Sequence, residues 1–127
     1  MKRVVLAIKN RLVSEAVFDA LKKRGIYAQK TFAHNSETIL DLVDALMAGC
    51  LIMDVTRADD SNFEKRMKTV EKAKFVNPEL KIALLCDNVS NKDDAYKIKC
   101  AKEEKKIDAF FYESVTSDYL ADVIDSL

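Results

Sequence analysis

A chain of 127 residues has room for one domain built around one core. Its 21 basic and 21 acidic side chains cancel, so no net field draws it towards nucleic acid or an anionic membrane surface. A composition of 49% hydrophobic and 33% charged residues is that of an ordinary water-soluble globular domain, not of a disordered or membrane-embedded chain.

The N-terminus places Lys2 and Arg3 before the apolar run Val4 to Ile8. That run is too short for the roughly 7–15-residue core of a secretory signal, and no small-residue cleavage site follows it. It suits a strand buried on both faces. Leu12, Val13, Ala16, Val17, Ala20 and Leu21 then recur at helical spacing. Lys22-Lys23-Arg24 lies at the negative end of that helix dipole, and Gly25 is the expected stop. Tyr27 to Phe32 alternates as an edge strand does. Asn35 or Ser36 is the expected cap of a second helix carrying Ile39, Leu40, Val43, Leu46 and Met47, with Gly49 as its stop.

Leu51-Ile52-Met53 forms a third strand ending at Asp54, and a polar loop follows from Thr56 to Asn62. The third helix carries Phe63, Met67, Val70 and Ala73 on one side, and Asn77-Pro78 breaks it. Ile82 to Leu85 is a fourth buried strand running out at Cys86-Asp87. Asn91 to about Lys105 is a charged helix with Ala95, Ile98 and Ala101 inward. Ala109 to Tyr112 makes the fifth strand, and Thr116 or Ser117 caps a last helix with Leu120, Val123, Ile124 and Leu127. No segment approaches the ~18 apolar residues of a membrane helix.

Strands alternating with helices across short connections imply a parallel sheet covered on both faces, α/β in class. The most apolar strands, the first, third and fourth, belong at the centre, which predicts the order 2-1-3-4-5 over a single domain of residues 1–127. Helices 1 and 5 are expected on one face and helices 2, 3 and 4 on the other. In such sheets reactive groups gather beyond the C-terminal strand ends, at the switch point between strands 1 and 3. Cys50, Cys86 and Cys100 form no Cys-x-x-Cys pair and, with the lone His34, no metal-binding spacing. Reduced, mostly buried thiols and a cytoplasmic location are the expectation. His34 itself is read as a surface residue, Asp59 and Asp60 as a solvated acidic turn, and 102–106 as a solvated helix end.

The strand ends carry a more specific likeness. Leu51-Ile52-Met53-Asp54-Val55 resembles the phospho-acceptor strand of response-regulator receiver domains, with Asp54 in the acceptor position. Asn77-Pro78-Glu79-Leu80-Lys81-Ile82-Ala83-Leu84-Leu85 is similar to that family's lead into the fourth strand. Asp108-Ala109-Phe110-Phe111-Tyr112-Glu113 resembles its fifth strand, which ends in a lysine. The resemblance spans the chain and implies a flavodoxin-like (βα)5 three-layer sandwich of the CheY-like type, acting in signal transduction.

The departures bear on function. Where the family holds Mg²⁺ with an acidic pair, this chain has Ile8 and Lys9, followed by Asn10. Glu113 replaces the lysine, Cys86 the switch threonine or serine, and Phe110 the switch aromatic. Phosphoryl transfer rests on positioning and charge neutralisation, and this set supplies neither the metal site nor the cation. Asp54 is therefore expected to be a vestigial acceptor, without metal or cofactor. Lys9 is either a solvated cation at the loop mouth or a partner for Asp54, and the pocket reading places its ammonium within about 4 Å of that carboxylate.

The resulting expectation is a pseudo-receiver. It would be a non-enzymatic, phosphorylation-independent module meeting a protein partner, or a second copy, through helix 4, strand 5 and helix 5. Phe111, Tyr112, Tyr119 and Val123 are the candidate contacts, Tyr119 and Val123 sharing one side of the helix. Membrane contact is not expected, and nucleic acid would be reached only through an output domain. The alternative is a genuine phosphoryl-accepting receiver using Asp54 and Mg²⁺. A flavin- or nucleotide-binding domain of this topology would need glycine or hydroxyl residues after the first strand, and Lys9-Asn10-Arg11-Leu12-Val13 has none.

Overall fold

The apolar runs become five strands: β1 (Arg3–Ala7), β2 (Tyr27–Lys30), β3 (Cys50–Val55), β4 (Lys81–Cys86) and β5 (Ala109–Tyr112). All neighbours pair in parallel in the order β2-β1-β3-β4-β5, as the hydrophobic ranking of the strands predicts. The computed structural model describes residues 2–86 and 92–127. Asp87 and Asn91, named above as the run-out of the fourth strand and the start of the fourth helix, lie outside the described residues. The helices are α1 (Arg11–Lys23), α2 (Ser36–Leu46), α3 (Phe63–Val76), α4 (Lys92–Glu103) and α5 (Ser117–Ser126).

Strand alternation divides the core in two. Val5, Ala7, Leu51 and Met53 face α2, α3 and α4, where Ile39, Val43, Val70, Ala73 and Ile98 pack on them. Val4, Leu6, Cys50 and Ile52 face α1 and α5, against Val17, Leu21, Leu120 and Ile124. The three-layer sandwich and its helix distribution are those expected. Among the described residues no helix is long and apolar enough to cross a membrane.

Short polar side chains set the helix starts. Asn10, Asn35, Asn62 and Thr116 accept from the amides of Val13, Thr38, Lys65 and Tyr119 at 3.2, 2.8, 2.9 and 3.2 Å. Each such cap contributes about 1 kcal/mol. At the end of α1, Gly25 adopts φ +74°, its amide donating to Lys22 O and that of Ile26 to Leu21 O, both at 3.0 Å. The end of α2 differs from expectation. Met47, not Gly49, takes the left-handed position at φ +51°, and the Ala48 amide donates back to Val43 O at 2.9 Å. Gly49 is already committed to the sheet margin, donating to Arg3 O and accepting from Lys81 N.

Candidate functional site

Asp54 is the penultimate residue of β3 and has no solvent-exposed surface. The chain leaves β1 and turns into α1 directly above it, which aims two backbone amides at the carboxylate. Lys9 N donates to Oδ2 at 2.9 Å and Asn10 N at 3.3 Å. The other oxygen meets a residue from α3. Arg66, also fully buried, donates through Nη2 to Asp54 Oδ1 at 3.0 Å and through Nε to the Asp54 carbonyl at 2.7 Å. The same Nη2 lies 2.9 Å from Ala7 O and 3.0 Å from His34 Nδ1. One guanidinium thus lies over the carboxyl ends of β1 and β3, the crevice where this topology ordinarily binds ligands.

The geometry follows from the local sequence. Asn62 starts α3, and the Arg66 amide closes its first turn on Asn62 O at 2.9 Å. This orients residue 66 with Val70 and Ala73 on the buried side of the helix. Nη2 carries two hydrogens for three acceptors, so they share it, while Nη1 is buried with no hydrogen-bond partner among the described residues. Burial pulls the guanidinium below its ordinary affinity for protons, and the Asp54 carboxylate opposes that shift. A planar fork suits this place because it reaches a carboxylate and two carbonyls at once.

Lys9 does not pair with Asp54, contrary to the sequence expectation. Its ammonium lies 2.5 Å from Asp60 Oδ1, with 41% and 51% of the two side chains exposed. That contact holds the Asp60 carboxyl below the usual carboxylate range. Arg66 neutralises Asp54 from the α3 side, and Lys9 contributes only its backbone amide there. Its ammonium therefore stays hydrated outside, as a strongly hydrated point charge on a flexible stem does. Asp60 is correspondingly an ion-pair partner rather than a merely solvated residue.

The remaining predicted positions stand at the same edge of the sheet. Ile8 and Cys86 are buried, and Glu113 is half-buried just beyond β5, its amide donating to Cys86 O at 3.0 Å. Among the described residues this donor set does not fit Mg²⁺, which needs several oxygen ligands in octahedral array. The positions after β1 hold an aliphatic residue and a lysine, and both Asp54 oxygens already accept protein donors. Among the described residues no three His, Cys, Asp or Glu side chains converge as a metal site requires. None of the three cysteines is in a disulfide, and burial pushes the Cys50 thiol up to about 12.

Two more residues depart from expectation. His34 is half-buried against Arg66 rather than at the open surface. Phe111 is a core residue, 6% exposed and edge-on to Tyr119 with ring centroids 6.5 Å apart, so it presents little to a partner. Strand alternation turns it inward with Ala109, while Phe110 and Tyr112 stay half-buried and meet edge-on at 5.9 Å. Tyr119 is 57% exposed, and Val123 is half-buried against the α1–α5 core. Arg66 is the site residue that sequence reasoning missed. Its signal was present: it stands four residues before Val70 and seven before Ala73, a charge on the apolar stripe of α3.

No family model and no curated protein matches the sequence. Solved structures do match the fold. A CheY-like response regulator receiver domain protein from Methanospirillum hungatei is 14% identical, with 99% of this chain and 92% of that chain covered at a TM-score of 0.74. An orphan response regulator of H. pylori is 16% identical, with 98% and 94% covered at 0.74. The response regulator TrrA of Thermotoga maritima, in complex with Mg²⁺ and BeF, is 17% identical, with 99% and 98% covered at 0.74. The identities are low and the architecture agrees from end to end: the chain has the fold of the CheY-like response-regulator receiver domains.

Proposed function

We propose that the chain is a receiver-fold protein-interaction module in signal transduction, and that its output does not run through phosphorylation of Asp54. The observation that carries this reading is the occupied carboxylate. Oδ2 accepts two backbone amides, Oδ1 accepts Arg66, and the side chain has no exposed surface. A nucleophile must bring a lone pair within reach of its donor, which a carboxylate with no exposed surface does not, and releasing Asp54 from Arg66 would strand two buried charges. Asp54 is thus a tie between β1, β3 and α3. The fold is shared with a protein described as an orphan response regulator, which accords with a receiver fold in an unconventional setting.

The partner on this reading is a protein or a second copy, met through α4, β5 and α5. Tyr96 on α4 is 70% exposed and Tyr119 on α5 57%, with Phe110 and Tyr112 half-buried on the edge strand between them. An aromatic margin along a short edge strand suits docking, since tyrosine offers apolar area with a polar end. Incubation with acetyl phosphate and Mg²⁺, read by intact mass, is expected to leave Asp54 unmodified. Sedimentation is expected to be the same with and without beryllofluoride. A phosphoryl adduct on Asp54, or a change of mass with beryllofluoride, would instead support a genuine phosphoryl-accepting receiver.

A further inference from the structure

We propose that His34 is an acid-sensitive latch: its neutral imidazole holds the β2–α2 connection on Arg66, and taking up a proton from solvent releases it. The contact sets the protonation state. Arg66 Nη2 can only donate, so His34 Nδ1, 3.0 Å away, must be the acceptor and the ring hydrogen lies on Nε2. A proton on Nδ1 would set donor against donor and cation against cation at that distance.

The charges around the ring do not compensate. Asp54 on β3 faces it but is bound to Arg66, and Asp60 from the β3–α3 loop is bound to Lys9 of the β1–α1 loop. Across the cleft that His34 lines stand Asp59 of that loop, Glu37 of α2, and Lys65, Lys68 and Lys72 of α3, a mixed and solvated set. Burial and then Arg66 pull the imidazole below its ordinary 6.5, against smaller upward effects of Asp54 and Asp60.

What the latch moves is the first turn of α2. His34 precedes Asn35, whose side chain accepts from Thr38 N at 2.8 Å and whose carbonyl accepts from Ile39 N at 3.2 Å. Ser36 Oγ then meets Thr69 Oγ1 of α3 at 2.5 Å. Freeing His34 therefore loosens the α2 cap and its tie to α3. The latch stands on the Arg66–His34 contact and does not require Asp54 to be silent, so it and the reading above can fail separately.

His34 is the chain's one histidine, so its ring resonances are unambiguous. The intact protein is titrated by NMR from about pH 8 to about pH 5 while amide exchange protection is measured. The expected imidazole midpoint lies below 6.5, and protection at Thr38 and Ile39 falls as the pH drops from about 6.5 through that midpoint. That loss should be about tenfold for each unit by which the midpoint lies below 6.5. His34→Asn keeps an acceptor near the Nδ1 position and cannot titrate, so its protection should stay flat. A midpoint at or above the ordinary value, α2 amides that keep their protection, or an equal acid step in His34→Asn would overturn the latch.

Discussion

Of the two ion pairs described above at the carboxyl edge of the sheet, the shorter is the weaker. Lys9 and Asp60 meet at 2.5 Å in a half-exposed loop, whereas Arg66 and Asp54 meet at 3.0 Å with no exposed surface on either side chain. In water two unit charges at 4 Å gain only about 1 kcal/mol, and exposed pairs also lose side-chain freedom. The buried pair carries a desolvation cost of several kcal/mol per ion, offset only because nearly every donor and acceptor is matched. Replacing such a pair with apolar side chains is often neutral, while removing one member is severe. Separation does not rank these contacts; what matters is what each group would face if its partner vanished.

Arg66→Met leaves the Asp54 carboxylate buried with two amides and no counter-charge, so urea unfolding should show a loss of about 3–5 kcal/mol. Adding Asp54→Leu should recover most of that loss, because no charge then remains to be stranded. A double variant as unstable as Arg66→Met would mean that the stability resides in the Arg66 bonds to Ala7 O and Asp54 O, and the ion-pair account would be wrong.

Those residues also show what the sequence could disclose. The fold was legible because each element carries its own period: Leu51-Ile52-Met53 has no polar face to show water, and Ile39, Val43 and Leu46 fall on one helical side. Asp54 was legible as a strand-end acid. Its partner was not, because a sequence places charges near one another only through a motif, and the acidic-pair positions drew attention to Lys9. Arg66 lies 12 residues from Asp54, and its role appears only when α3 is laid across the sheet. The stop of α2 was misjudged because glycine favours the left-handed position, whereas Gly49 was already needed where the chain enters β3. The chemistry of Phe111 suggests a contact residue, whereas the alternation of β5 places it beside Ala109 on one face.

Met47 supplies a scale that involves no charge. It holds φ +51° while 80% exposed, so Met47→Gly removes a Cβ penalty and loses little packing. Thermal or urea unfolding should show a gain of about 1 kcal/mol. This sets a known backbone effect between the two ion pairs: smaller than the loss from Arg66→Met and opposite in sign to both. No gain would mean that the Met47 side chain, at the mouth of the apolar groove between α2 and α3, contributes packing equal to its backbone strain.

The smallest effect is the sharpest test, since it concerns the contact with the shorter distance. Lys9→Ala removes the ammonium from Asp60 but keeps the backbone amide that donates to Asp54 Oδ2. Asp60, half-exposed, is then solvated rather than stranded, so the loss should be about 0.2–1 kcal/mol. It should also shrink as salt rises, because at about 1 M the screening length is only about 3 Å. The deficit of Arg66→Met should hardly change over the same range, since ions do not enter the buried site. A Lys9→Ala loss that matched Arg66→Met and ignored salt would show that the ammonium acts on the Asp54 site after all. The division between an outer, solvated pair and an inner, structural one would then fail.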